Sequence, residues 1–107
     1  MKLKWNKEFA LEQVGGDSSL LNECLKVFIQ AANEDLYKMK RGILDGNFEL
    51  VKRAAHSLKG AALNIGMNGI MELAKEIEDE ALNENISKIN YNIKKVEDLL
   101  NEILNET

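Results

Sequence analysis

The sequence contains no proline, one cysteine and one histidine, and only 6% of its residues are aromatic. Proline breaks helices because it has no backbone N–H to donate, so its absence from 107 residues permits long helices. Strands favour β-branched and aromatic residues, and runs of such residues are sparse. One cysteine cannot close a disulfide within the chain, which fits a reducing compartment, and we expect a cytoplasmic protein.

The sequence also lacks an excess of positive charge and a long apolar run. Its 14 basic and 18 acidic residues give a net charge of −4, which argues against nucleic-acid binding by phosphate neutralisation. No apolar run is long enough for a signal peptide or a membrane span. We therefore expect neither a nucleic-acid nor a membrane partner. With 45% apolar residues, the chain can build one core, and we expect a single domain over residues 1–107.

Apolar residues recur every three or four positions along most of the chain, which predicts five helices. A short first helix, about Asn6 to Val14, should end at Gly15-Gly16. Asp17 or Ser18 can then cap a long second helix that ends at Gly46-Asn47.

The remaining three helices follow from the same spacing. The third, about Phe48 to Ile65, ends at Gly66, and Asn68 can cap the fourth. A polar stretch at 83–85 precedes the fifth, and short connections favour antiparallel neighbours. The sequence therefore predicts an all-α fold, an antiparallel up-down four-helix bundle with a short additional N-terminal helix. The predicted buried positions are Leu21, Cys24, Phe28, Ala31, Ala32, Asp35, Met39 and Ile43 on the second helix, Val51, Ala54, Ala55, Leu58, Ala61, Ala62 and Ile65 on the third, Ile70, Leu73, Ala74, Ile77 and Ala81 on the fourth, and Ile86, Ile89, Ile93, Val96, Leu100 and Ile103 on the fifth.

The only histidine, His56, lies in the third predicted helix but away from its apolar face. At 100° per residue, it is about 160° from the centre of the buried stripe near Leu58. This position disfavours a packed core histidine and predicts a surface one. Lys52, Arg53 and Lys59 lie three or four residues away and share its face. Their charges would suit an attached phosphoryl group, which brings about −1.5 to −2 charges.

Gly60 lies one turn beyond His56 on the same outward side. Glycine inside a helix costs about 1 kcal/mol relative to alanine, so this position needs a reason. Close packing against a neighbouring helix is one reason, but the residue is predicted to lie opposite the core. We therefore predict that Gly60 leaves room for a bulky partner to approach the ring.

The stretch His56-Ser57-Leu58-Lys59-Gly60-Ala61-Ala62, followed by Asn64-Ile65-Gly66, resembles the signature of histidine-containing phosphotransfer (HPt) domains of two-component phosphorelays. The resemblance extends to GGD at 15–17 and to Leu73-Ala74 and Ile77-Glu78 in the fourth helix. It implies that the histidine accepts a phosphoryl group on Nε2 from a receiver-domain aspartate or a histidine kinase. It further implies that the group passes to the aspartate of a response-regulator receiver.

The same resemblance implies a role for four residues. His56 matches the phosphoacceptor, Lys59 the lysine that helps to hold the phosphoryl oxygens, and Gly60 the small residue that gives access. Glu78 matches a position that hydrogen-bonds the imidazole. It also lies at the edge of the fourth helix's apolar stripe, roughly 80° from Ile70, where the alternative is a solvated glutamate. No cofactor is expected on this chain, and Mg²⁺ is expected on the partner receiver.

Three further residues are expected to support this site. Lys52 and Arg53 should add positive charge, and Leu63 should form part of an apolar partner surface. The sequence has no P-loop or kinase signature, so we expect a phosphate carrier without kinase activity of its own. Both a stand-alone carrier and a domain excised from a larger kinase fit the chain, and the opening methionine favours the first.

Two other classes of protein are alternatives to an HPt domain. A metal or haem bundle needs ligands that project inward, and one outward histidine does not supply them. The remaining alternative is a non-catalytic helical interaction module with an incidental surface histidine.

Overall fold

A computed structural model describes residues 2–106 of the chain. These residues form five α-helices, and their only β-type pairing is one isolated bridge, so the all-α prediction is confirmed. The predicted domain limits, residues 1 and 107, lie outside the described residues. The helices are α1 (Lys7–Gln13), α2 (Ser18–Asp45), α3 (Phe48–Asn64), α4 (Asn68–Leu82) and α5 (Ile86–Glu106).

The four longer helices form the predicted up-down bundle. Helix α2 packs against α3, α3 against α4 and α4 against α5, while α5 also contacts α2. The connections between them span only two or three residues, so consecutive helices run antiparallel. The short α1 lies against α2. The bundle is an elongated body of 43 × 21 × 19 Å, and none of its described helices is both long and apolar enough to span a membrane.

The ends of α2 follow the signals in the sequence. One carboxylate oxygen of Asp17 accepts hydrogen bonds from the backbone N–H groups of Ser19 and Leu20, at 3.0 and 3.1 Å. Asp17 rather than Ser18 is therefore the N-cap. At the other end, Gly46 has a φ of +67°, a left-handed conformation that glycine adopts without steric cost. This residue stops α2 and turns the chain into α3.

The prediction that Asn68 caps α4 is wrong, because Asn68 is already the first helical residue. The φ of Gly66 is +73°, and the Met67 N–H then returns to the Ala62 carbonyl at 2.9 Å. The Met67 carbonyl in turn accepts from the Met71 N–H at 2.9 Å. The tight glycine turn therefore begins α4 one residue earlier than the side-chain signal indicates.

Most positions predicted to be buried are in the core, and the exceptions occur where the bundle is open. Ile86 is 44% exposed because it is the first residue of α5, and the buried face of that helix begins one turn later at Ile89. Cys24, Ala31, Ile43 and Ala61 are only half-buried. Ile43 lies in the last turn of α2, and the other three line an open apolar cavity of about 270 Å³ between α1, α2 and α3.

Residues 2–6, here called the N-terminal strap, lie across the turn between α3 and α4. The Asn6 N–H donates to the Gly66 carbonyl, and the Gly69 N–H donates to the Leu3 carbonyl, both at 2.8 Å. These bonds tie the start of the chain to the end of α3 and the beginning of α4. The strap therefore helps to fix the two helices that carry the candidate site.

Candidate functional site

His56 projects from α3 into solvent, with 68% of its side chain exposed. Ala55 and Leu58, on either side of it in sequence, are completely buried. The helical period thus turns the ring away from the core, and the predicted surface position of His56 is confirmed. The ring is open to an approaching molecule.

Glu78 reaches across from α4 to two side chains of α3. Its Oε2 lies 3.0 Å from Nδ1 of His56, and its Oε1 accepts a hydrogen bond from Nζ of Lys59 at 2.8 Å. Only 16% of the Glu78 side chain is exposed. The structure therefore brings together three residues predicted from the sequence and places Glu78 between the other two. A solvated glutamate with no role in this cluster is excluded.

The electrostatics of the cluster keep Glu78 ionised. The hydrogen bond from Lys59 lowers the pKa of the Glu78 carboxyl, partial burial opposes this shift, and the contact with His56 lowers the pKa further. An ionised carboxylate can only accept hydrogen bonds. Nδ1 of His56 therefore carries the proton in this contact, and in the neutral ring Nε2 then holds a free lone pair.

The three cations predicted to surround the His56 ring, Lys52, Arg53 and Lys59, are not equivalent in the structure. Lys59 is paired with Glu78 rather than free beside the imidazole. Lys52 is half-buried and Arg53 is exposed, and neither makes an ion pair with another residue of the described chain. These two residues therefore supply the unpaired positive charge on this side of α3, within one turn of His56.

Gly60 is exposed, and a Cβ built on it would have no neighbouring atom within 4 Å. Close packing against another helix is therefore not the reason for this glycine. The open space lies one turn from His56 on the same outward side. Gly60 thus leaves a bare stretch of helix beside the ring.

The apolar surface near the site is wider than the sequence indicated. Leu63, the predicted partner residue, is 56% exposed on α3. Val27 on α2 is also exposed, and it borders the cavity that Ala61 and Asn64 line from α3. Sequence reasoning missed Val27 because an isolated valine on the polar side of a helix is common.

No group of three or more His, Cys, Asp and Glu side chains within residues 2–106 is placed to hold a metal ion. The only histidine has one carboxylate partner, and that carboxylate also binds a lysine. What the cluster offers is an oriented imidazole, a neighbouring cation and an open approach. An imidazole in such surroundings can act as a nucleophile and accept a group from another molecule.

Comparison with known families supports the same chemistry. The family model described as Hpt domain matches residues 23–106, a range that holds almost all of the four-helix bundle and every residue of the cluster. No curated protein and no solved structure matches the chain. The match covers most of the sequence, so the chain belongs to the Hpt domain family, the phosphotransfer carriers of two-component signalling.

Proposed function

We propose that His56 is the phosphoacceptor of this carrier. It takes a phosphoryl group from the aspartyl phosphate of a receiver domain or from a histidine kinase, and passes it to the aspartate of a response-regulator receiver. The observation that carries the proposal is the geometry of the ring. It is the only imidazole in the chain, it is exposed, and Glu78 engages its Nδ1 edge, so Nε2 is free to react. A cytoplasmic location fits the single cysteine.

The transfer is a displacement at phosphorus. The Nε2 lone pair of His56 attacks the phosphorus of the donor aspartyl phosphate, the N–P bond forms, and the aspartate leaves as a carboxylate. The ring keeps its Nδ1 proton and gains positive charge, which the ionised Glu78 stabilises from 3.0 Å. In the return step, an acceptor aspartate oxygen attacks the phosphorus, the N–P bond breaks, and the ring becomes neutral again.

Lys59 serves the phosphoryl group once it has arrived. An ammonium group has three N–H donors, so Lys59 can keep its bond to Glu78 and turn another N–H toward a phosphoryl oxygen. Lys52 and Arg53 add positive potential for a group that carries about −1.5 to −2 charges. In this proposal the Mg²⁺ of the reaction belongs to the receiver domain.

The face around His56 also suits a docking partner. Gly60 leaves the helix surface bare, and exposed Leu63 lies two turns along α3 from the ring. Val27 extends the apolar surface onto α2. An exposed apolar patch beside a polar reactive group is typical of a surface that binds another protein, and here we infer a receiver domain.

A direct test presents the purified chain with a receiver domain that carries radiolabelled aspartyl phosphate. We expect label on the wild-type chain that is acid-labile and base-stable, and no label on His56→Gln. Lys75→Gln, an exposed change on α4, should accept label at the wild-type rate. ATP alone should leave all three proteins unlabelled. If His56→Gln accepts label like the wild type, the proposal is wrong.

The same experiment separates a carrier from a passive interaction module. A module would bind the receiver equally well in the wild-type and His56→Gln proteins and would accept no label. Binding without transfer would therefore favour the module.

A further inference from the structure

The open cavity between α1, α2 and α3 lies beside the proposed docking face, and the chemistry above does not use it. Its volume is about 270 Å³, and its walls include Val14 at the end of α1, Ala31 on α2 and Ala61 on α3. An apolar cavity of about 150 Å³ can hold a benzene molecule. This cavity is therefore large enough for the side chain of one aromatic or branched aliphatic residue.

The lining of the cavity favours an uncharged occupant. No charged side chain of the described residues lines it, although 30% of the residues in the chain are charged. Its polar side chains are two exposed amides, Gln13 and Asn64. An apolar centre without charged residues and a polar, accessible rim are typical of interfaces between proteins. The composition therefore points to an apolar side chain of another protein.

The cavity is close enough to His56 to be covered by the same partner. Ala61 and Asn64 follow His56 by five and eight residues on α3, which is about 8 and 12 Å along the helix axis. Leu63 is exposed between them. A stable interface buries about 800 Å² on each partner, which corresponds to a disc of roughly 16 Å radius. A receiver domain that meets His56 and contacts Leu63 therefore also covers the rim of the cavity.

We propose that this cavity receives one large apolar side chain of the receiver domain, and that Val14 and Ala61 in its walls are specificity-determining residues for the choice of receiver. The inference rests on the proposed role of His56. A receiver with a charged side chain at this contact would bury an unpaired charge, which is costly. Val14 precedes residues 23–106, which the family model matches, so the wall that it forms is a feature of this chain beyond that match.

The test compares the wild type with Ala61→Leu, which fills the cavity, Val14→Ala, which removes part of its wall, and Asn33→Leu. Asn33→Leu is the matched control, because it adds a leucine at an exposed position on α2 in a groove that Leu104 of α5 also lines. Each protein is titrated with a receiver domain that labels the wild type. Each is also given phosphoramidate, a small donor that reaches His56 without a docked protein, and urea unfolding establishes that each variant is folded.

We expect Ala61→Leu to bind the receiver at least about tenfold more weakly than the wild type, because a side chain that fills a desolvated pocket carries a large share of the binding energy. Val14→Ala should lose affinity in the same direction, although it adds no atom that could clash with the partner. Asn33→Leu should bind the receiver as the wild type does. Phosphoramidate should label all four proteins at the same rate.

The only cysteine of the chain reports directly on the cavity. Cys24 is half-buried and lines it, so alkylation of its thiol by N-ethylmaleimide should slow as the receiver saturates the wild-type chain. His56→Gln leaves the cavity intact and should show the same protection, which measures docking separately from transfer. Mass spectrometry of the peptide that contains Cys24 gives the rate of alkylation.

Wild-type affinity in Ala61→Leu, or equal losses in Ala61→Leu and Asn33→Leu, would overturn the inference while the role of His56 stands. Unchanged alkylation of Cys24 at saturating receiver would also overturn it, and this result does not depend on the folding of any cavity variant. Slow labelling of Ala61→Leu by phosphoramidate would count against it too, since the change would then lie at the ring. A wild-type chain that accepts no phosphate from either donor would refute the proposed function instead.

Discussion

At the scale of single residues, substitutions of Gly60 should affect the stability of the fold and the access of a partner to His56 in different ways. We expect Gly60→Ala to raise the free energy of unfolding by about 1 kcal/mol, because alanine has the higher helix propensity and its methyl group meets no neighbouring atom. We expect Gly60→Gln to slow transfer from a receiver, because a long side chain would fill the space beside His56. Urea unfolding and the rate of label uptake measure the two effects. A Gly60→Gln protein that accepts phosphate at the wild-type rate would contradict the access role.

Glu78 should contribute a pH-dependent part of the stability. Because its pKa is lowered in the folded chain, its contribution is present above the unfolded pKa of about 4.5 and disappears as the pH falls through the folded value. We expect Glu78→Gln to cost about 1 kcal/mol at pH 7 and to differ less from the wild type at pH 3. Urea unfolding at several pH values measures this.

The control for this experiment is Glu76→Gln, an exposed change on the same helix. It should follow the wild type at every pH. A constant difference between Glu78→Gln and the wild type from pH 7 to pH 3 would contradict the ionic origin of the effect.

The residue scale also marks the limit of what the sequence predicts. The direction of His56 follows from the helical period alone, because that period fixes the angle of a side chain about its own axis. The pairing of Lys59 with Glu78 cannot be predicted from the helical period, because it depends on how closely α3 and α4 pack against each other.

At the scale of elements, the N-terminal strap depends on glycine at two positions. A Cβ on Gly69 would lie 2.5 Å from the Leu3 carbonyl oxygen and would also collide with that of Lys2. Gly66 has a left-handed φ, and a Cβ on this residue would lie 2.8 Å from the Asn6 carbonyl oxygen. The strap can therefore approach the turn between α3 and α4 because neither residue has a side chain.

This close approach predicts opposite outcomes for two helical glycines. Gly69→Ala should lower the free energy of unfolding by about 1–3 kcal/mol, because the added methyl group must displace backbone, whereas Gly60→Ala should raise it. Amide hydrogen exchange should become faster at Asn6 and at residue 69, whose N–H groups form the strap bonds. Unchanged exchange at both amides in Gly69→Ala would show that the strap does not need this glycine.

The elements themselves were the most predictable part of the fold. The periods of α3 and α4 place their buried residues correctly, except for the half-buried Ala61 on α3, since both helices are covered by neighbours on most of their apolar sides. The prediction was weaker on α2, where Cys24 and Ala31 face an open cavity, and at Ile86 at the end of the bundle. A periodic pattern shows which face is apolar but not how far a neighbouring helix covers it.

At the scale of the whole molecule, the core of the bundle and its outer surface have different roles. The core supplies stability through packed aliphatic side chains, while His56, Lys59 and the bare helix surface at Gly60 all lie outside it. The rigid bundle holds α3 and α4 together, so that Glu78 meets His56 and Lys59. A phosphoryl group on His56, as proposed above, would therefore add charge to the surface without entering the core.

Two leucines on α3 test this division. Leu58 is completely buried and Leu63 is exposed, so Leu58→Ala should cost about 2–5 kcal/mol of stability and Leu63→Ala no more than about 0.5 kcal/mol. Binding of a receiver should respond in the reverse order. Leu63→Ala should bind the receiver more weakly than the wild type. Leu58→Ala, under conditions where it is folded, should bind it normally. Urea unfolding and receiver titration measure the two quantities. If Leu63→Ala lost stability but bound the receiver as the wild type does, the outer surface would be part of the fold and the division would not hold.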